Sequence, residues 1–458
     1  MSVTDGLPPA ERRRAMSALV IAISISVLDS AIANIALPAI AKELMVSPSA
    51  SVWVVNAYQL AVTVSLLPLS SLGDIYGYRR VYLGGLVLFT LASIACGMST
   101  SLPMLVGARM LQGVGAAGIM SVNTALVRFI YPRAQLGRGV GTTALTVATS
   151  AAAGPTIAAA ILAVAPWQML FLVNAPFGAL ALWLALRSLP KTPLSGHRFD
   201  LASAGLNATS FGLLFLGVDG LGHGEGVQWV ALELIGAAAV GYVFVRRQLV
   251  LAAPMLPVDL FRLPIFALSV VTSICSYAAQ TLAYLALPFY FQYVGGQSQV
   301  RTGLLMTPWP AIVMLVAPIA GRLSDRYPAG LLGGCGLAVL SAGLLLMMGA
   351  PADAGGIGIA LRMLVCGIGF GFFQSPNNRA LIASAPPERS GAGSGMLSTA
   401  RLVGQTTGGV LVALVFALSG SGVAGVSRGV TVALGIAAGF AAVACVVSFL
   451  RLRRSQFG

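Results

Sequence analysis

Fourteen largely apolar runs, separated by short polar breaks, occupy almost the whole chain. They cover residues 16–40, 51–73, 81–98, 102–127, 139–163, 167–187, 200–220, 228–250, 265–290, 304–323, 331–349, 357–380, 391–418 and 429–450. A helix needs about 20 residues to cross the hydrocarbon core of a bilayer, so each run is predicted to be one transmembrane helix. Backbone polar groups in lipid must be satisfied within the helix itself, which excludes open strands from these runs. No break between runs is long enough for a soluble domain. The expected architecture is all-α integral membrane, with fourteen spans.

Polar residues stand out against this background. Asp29 interrupts the first run, within Leu28-Asp29-Ser30-Ala31-Ile32-Ala33-Asn34. Arg109, Arg362 and Arg401 interrupt the fourth, twelfth and thirteenth. An ionisable group inside a membrane span is expensive and marks function by default.

Composition agrees with the pattern. The 458 residues are 57% hydrophobic and 9% charged, with mean hydropathy +0.89; a soluble domain carries about 25% charge. The net charge of +14 is dispersed between spans rather than gathered in a stripe, so no nucleic-acid partner is expected. With both termini cytoplasmic, 21 of the 27 basic residues fall in inside loops and tails, Arg451 among them. Only Lys42, Arg301 and Arg428 fall outside. This is the positive-inside bias, and an extra or missing helix would break it. The first run is too long for a signal-peptide core and is read as a retained helix. Five cysteines, all in apolar runs, and two histidines give no metal, disulfide or nucleophile pattern. Neither GxxxxGK[ST] nor a cofactor site is visible, and no enzyme is expected.

The chain repeats itself. Arg109-Met110-Leu111 with Gly113 and Gly115 is echoed by Arg362-Met363-Leu364 with Gly367 and Gly369. Ser121-Val122-Asn123 is echoed by Ser375-Pro376-Asn377, and Leu72-Gly73-Asp74 by Leu323-Ser324-Asp325. The offsets are 253, 254 and 251 residues. Two parallel six-helix halves follow, 1–190 and 256–458, with two inserted helices in 191–255. Parallel repeats place a substrate site near the midplane.

These residues resemble a known family, the major facilitator superfamily, and within it the 14-helix drug:proton antiporter group. The first span resembles that group's L-D-x-T-x-x-N-x-A-L-P pattern. Trp53 and Tyr58 resemble its W-x-x-x-x-Y pattern. Leu72, Gly73, Asp74, Gly77, Arg79 and Arg80 resemble the superfamily's loop signature. Arg109, Gln112, Gly113 and Gly115 resemble its R-x-x-Q-G-x-G pattern. The chain departs from the family at Ser70, Ile75 and Tyr78 in the loop signature. It also has Ala158-Ala159 after Gly154-Pro155, where the antiporter motif has two glycines.

Asp29 lies about 16 Å from the outer end of its helix, and Arg109 about 10 Å from the outer end of its own, at 1.5 Å per residue. A neighbouring arginine favours the charged carboxylate and burial disfavours it. A carboxylate held between the two can take up and release a proton. Asp29 and Arg109 are therefore the expected proton-coupling pair, with a structural ion pair as the alternative. The resemblance implies that Asp74, Gly77, Arg79 and Arg80 latch the halves, with Asp325 and Arg326 as a weaker second copy. Gly154 and Pro155 are expected to bend the fifth helix or let it pack closely. Asn34, Tyr58, Gln112, Tyr284 and Phe373 are expected to line the substrate cavity. The function implied is proton-coupled export of small amphipathic compounds, cationic ones included, by a monomer in a bacterial inner membrane. The expected partners are substrate, protons and lipid. Two readings stand beside it: a narrow-specificity exporter of a natural metabolite, and a membrane sensor that transports nothing.

Overall fold

The computed structural model describes residues 6–192, 194, 199–223, 226–251, 254–350, 355–385, 390–420 and 422–455. They hold no strand, and 14 of their helical segments are long and apolar enough to span a bilayer. In order, the first spans are α1 (Pro9–Glu43), α2 (Pro48–Tyr76), α3 (Tyr78–Gly97), α4 (Leu102–Ile130) and α5 (Leu136–Leu162). The sixth is broken into α6 (Met169–Leu172) and α7 (Asn174–Ser188). The inserted pair is α8 (Leu201–His223) and α9 (Val227–Val250). Next come α10 (Pro264–Phe289) and a tenth span broken into α11 (Gln299–Met306) and α12 (Pro308–Leu323). The last four are α13 (Ala329–Met348), α14 (Gly356–Ala383), α15 (Ser390–Leu418) and α16 (Gly422–Ser455).

Local chemistry sets where these helices start, stop and break. α1 begins at Pro9 rather than near residue 16, with Glu11 in its first turn; a proline suits the first position and an acid suits the helix dipole there. Arg12 to Arg14 are thus helical. Gly77 alone separates α2 from α3, at φ +93°, a conformation that strains any side chain. The tenth span starts five residues earlier than the apolar pattern suggests. Ser298 caps it by accepting a hydrogen bond from the Arg301 N–H at 3.2 Å, and the break at Thr307 falls beside Pro308, whose missing N–H removes a hydrogen bond from the helical ladder. α10 carries Pro288 and passes into a π-helical turn over Tyr290–Val294. α16 continues to Ser455. Arg451, expected in a cytoplasmic tail, is instead helical and 4% exposed. Arg198 and Arg389 of the charge pattern lie outside the described residues.

The chain forms two compact units. One contains Met1–Ala33 and Ala57–Ala208, the other Asn34–Asn56 and Thr209–Gly458. The first packs α3 on α4 through glycines. A Cβ on Gly115 would lie 2.7 Å from the Phe89 Cα, and one on Gly85 would lie 2.8 Å from the Gly115 carbonyl. The second packs α13 on α14 in the same way. A Cβ on Gly369 would lie 2.8 Å from the Leu340 Cα, and one on Gly336 would lie 2.7 Å from the Gly369 carbonyl. Gly113 meets the α2 backbone at the Tyr58 carbonyl, and Gly367 meets the α12 backbone at the Trp309 carbonyl. Without a hydrophobic force between helices in lipid, such small-residue contacts supply much of the packing.

Candidate functional site

In the first unit, α1, α2, α3, α4 and the broken sixth span converge on one carboxylate. Asp29 is 2% exposed, and Arg109, on α4, is 0% exposed. Arg109 donates through Nη1 to the Asp29 Oδ2 and pairs with it as a salt bridge. The same Nη1 lies 2.6 Å from the Gln112 Oε1. Gln112 Nε2 donates to the Asp29 Oδ1 at 2.9 Å and to the Ser93 Oγ at 2.8 Å. Asn174, the first residue of α7, donates through Nδ2 to the same Asp29 oxygen at 2.8 Å. Helical spacing makes part of this possible, because Arg109 and Gln112 are three residues apart and share a face.

The guanidinium is also covered by rings. Its Cζ lies 4.2 Å from the Tyr58 ring centroid and 5.4 Å from that of Phe171, within cation–π range. Tyr58 is 2% exposed, and its hydroxyl donates to the Ser26 carbonyl at 3.4 Å. Hydrogen bonds to an ionised carboxylate are among the stronger ones. Protonation would remove the counter-charge from an arginine that cannot itself lose a proton.

The neighbouring motif touches this site. A Cβ on Gly154 would lie 2.6 Å from the Ala31 Cβ, so the glycine lets α5 close on α1 two residues beyond Asp29. Pro155 is buried inside α5. Asn34 stands five residues beyond Asp29 on α1, in the stretch grouped with the second unit, and its Oδ1 has no hydrogen-bond partner.

In the loop signature, Asp74 accepts a hydrogen bond from the Tyr78 hydroxyl at 2.5 Å, across Gly77. Arg79 donates to the Leu186 carbonyl at 2.6 Å, and Arg80 is exposed. The second copy is wired differently: Asp325 forms an exposed ion pair with Arg379 on α14, and Arg326 is exposed. Among the expected cavity residues of the second unit, Phe373 is 0% exposed and packs against Tyr277 and Phe370. Tyr284 is partly exposed, and its ring lies 5.1 Å from that of Trp309.

Sequence reasoning singled out Asp29, Arg109, Tyr58 and Gln112 but passed over Asn174, Ser93 and Phe171. Asn174 did carry a signal, as an amide well inside an apolar span. Ser93 did not, because an intrahelical hydroxyl usually bonds its own backbone, and Ser93 does so too, to the Phe89 carbonyl at 2.7 Å.

Known proteins are similar to this chain along most of its length. The chain is 53% identical to the "Uncharacterized transporter YebQ" of Escherichia coli K12, over 99% of this chain and 98% of that protein. It is 31% identical to the riboflavin transporter RibZ of Clostridioides difficile, over 87% of each. It is 33% identical to the multidrug resistance protein Stp of Mycobacterium tuberculosis, over 85% of this chain and 73% of that protein. The family model described as Major Facilitator Superfamily matches residues 19–409. With fourteen membrane-length helices, the chain is an integral multi-pass membrane protein and belongs to the Major Facilitator Superfamily of transporters.

Proposed function

We propose that this transporter exports small amphipathic compounds in exchange for protons, with Asp29 as the proton carrier. The observation that carries this reading is a buried carboxylate held by Arg109, Gln112 and Asn174 inside the membrane span. Taking up a proton at Asp29 leaves Arg109 buried without a counter-charge. That is a costly state, and it favours rearrangement of the helices around it. Contact between Gly154 and Ala31 ties the Asp29 segment of α1 to α5, so a change at the carboxylate is felt by a second helix. Asp74, Gly77, Arg79 and Arg80 serve as the latch of the alternating cycle, and Asp325 with Arg326 as its second copy. The cycle belongs to a monomer in the inner membrane, with six helices, two inserted helices and six helices in order, and both termini cytoplasmic. Likeness to the multidrug resistance protein Stp supports a broad substrate range.

Likeness to the riboflavin transporter RibZ favours a second reading, a single natural substrate. A growth screen of an efflux-deficient host against chemically unrelated dyes and biocides separates the two, since a narrow exporter protects against none or one.

The coupling test uses proteoliposomes with an imposed pH gradient. Wild type is expected to drive dye accumulation with the gradient, and Asp29→Asn to abolish that drive. Proton and substrate compete in such a cycle, so substrate binding to wild type weakens as pH falls, while binding to Asp29→Asn stays flat. Full gradient-driven transport by Asp29→Asn would remove Asp29 from the coupling step.

A further inference from the structure

The helices of the second unit from α10 to α16 contain no aspartate or glutamate, yet several arginines lie on them. Several of these have partners. Arg362 donates to the Leu346 and Gly358 carbonyls at 3.0 Å each. Arg379 pairs with Asp325. Arg451 donates to the Ser269 Oγ at 3.0 Å, the Asn377 Oδ1 at 2.7 Å and the Ser448 Oγ at 2.6 Å.

Arg401 is different. It sits eleven residues into α15 and seventeen from its end, about 16 Å and about 26 Å along the axis. It is partly exposed, and no hydrogen bond or ion pair links it to any other described residue. A guanidinium stays charged, and in hydrocarbon it would be costly.

The exposure pattern of α15 sets Arg401 apart further. Between residues 393 and 417 no described residue of α15 is exposed. By contrast, α13 exposes Leu345 and Leu346, and α16 exposes Val443 and Val446, all at 49% or more. Over this stretch α15 thus lacks the fully exposed side chains that α13 and α16 carry, and Arg401 is one of its partly exposed residues. Ser398, Arg401 and Gln405 are all partly exposed and three or four residues apart, so they form one polar stripe. Gly404 and Gly408 instead press on α10: a Cβ there would lie 2.5 Å from the Ile274 carbonyl and 2.6 Å from the Ala278 carbonyl. Beside this contact, Gln374 donates to the Tyr277 hydroxyl at 3.1 Å.

We propose that Arg401 is an anion anchor on this polar stripe of α15, so that the exported compounds include amphipathic organic acids bearing a carboxylate or phenolate on an aromatic body. The inference rests on the export reading above and names its substrate class. A guanidinium matches a carboxylate in charge and in its forked donor geometry. With no acid on α10 to α16, nothing in those helices competes with the ligand for it. The same positive charge acts against lipophilic cations.

Equilibrium binding to the purified full chain tests this, read by the anisotropy of two dyes: fluorescein, an aromatic acid, and ethidium, an aromatic cation. Wild type is expected to bind fluorescein, and Arg401→Gln to weaken that binding about 10-fold or more. Arg401→Lys keeps the charge and loses the fork, so it falls between them. Ethidium binding by Arg401→Gln is unchanged or tighter, and a melting temperature equal to wild type shows that the fold is intact. Three results overturn the proposal: no fluorescein binding by wild type, equal fluorescein binding by Arg401→Gln, or equal weakening of both dyes. Native mass spectrometry of retained phosphatidylglycerol adds a fourth: if Arg401→Gln loses the lipid while fluorescein binding is unchanged, the anion is a lipid phosphate and the proposal fails. Binding needs no gradient, so failure of proton coupling in proteoliposomes is a separate outcome.

Discussion

α4 and α14 descend from the same pattern, and the structure gives them one shared role and one that differs. Their glycines do the same work. Gly113 and Gly115 bring α4 against α2 and α3, while Gly367 and Gly369 bring α14 against α12 and α13. Their arginines do not. Arg109 is buried against Asp29, whereas Arg362 reaches back to the carbonyls of Gly358 and Leu346. The cause is one residue of spacing. Arg109 lies four positions before its first glycine and Arg362 lies five before its own. One residue turns a helix by about 100°, so Arg362 leaves the face that Arg109 occupies. Aligned on the glycines, the partner of Arg109 is Met363 and the partner of Gln112 is Cys366, both 0% exposed. The second half has kept the helix-packing code and replaced the charged site with apolar core.

The largest effects should come from moving charge into or out of these equivalent positions. Arg109→Met strands the Asp29 carboxylate, and Met363→Arg places a cation where the described helices offer no acid. Each is expected to cost about 3–5 kcal/mol, as for a buried charge left without its partner. Arg362→Met removes only hydrogen bonds to backbone carbonyls and should cost about 1 kcal/mol. Thermal melting of the purified variants orders them. If Arg362→Met falls as far as Arg109→Met, the two arginines are equivalent after all.

The glycines give the opposite expectation, symmetry. Gly115→Ala and Gly369→Ala each push a methyl group into the backbone of the adjacent helix. Overpacking of this kind costs about 1–3 kcal/mol. The two melting temperatures should drop by similar amounts, and a large difference between them would mean that only one half relies on the contact.

This comparison also marks what the sequence could and could not reveal. Fourteen spans were legible because membrane thickness imposes one length on every helix. Asp29 and Arg109 were legible because a charge in an apolar run has few innocent explanations. The divergence of Arg362 was obscured by aligning the arginines rather than the glycines, although the glycine contacts fix the register. Arg451 was assigned to a tail because apolarity ends near residue 450, while its helix continues and buries the guanidinium among hydroxyl and amide groups that hydropathy does not register. Asn174 starts α7 at the break after α6, two residues before Pro176, and which carboxylate its amide would reach from there is set by tertiary packing alone.

The smallest stability effects, and the sharpest split between stability and transport, are expected at the two copies of the loop acid. Asp325 and Arg379 are 62% and 56% exposed, and an exposed pair contributes about 0–1 kcal/mol. Asp74 is exposed as well, but its partner is the neutral Tyr78 hydroxyl. Asp325→Asn and Asp74→Asn should therefore both melt close to wild type. Transport should separate them. Asp325 is already paired with Arg379, whereas the partner of Asp74, beside the Gly77 joint between α2 and α3, is a neutral hydroxyl, as the latch role proposed above requires. Initial rates in proteoliposomes are expected to fall further for Asp74→Asn than for Asp325→Asn. Equal rates would make the two loops interchangeable and would confine the asymmetry between the halves to α4 and α14.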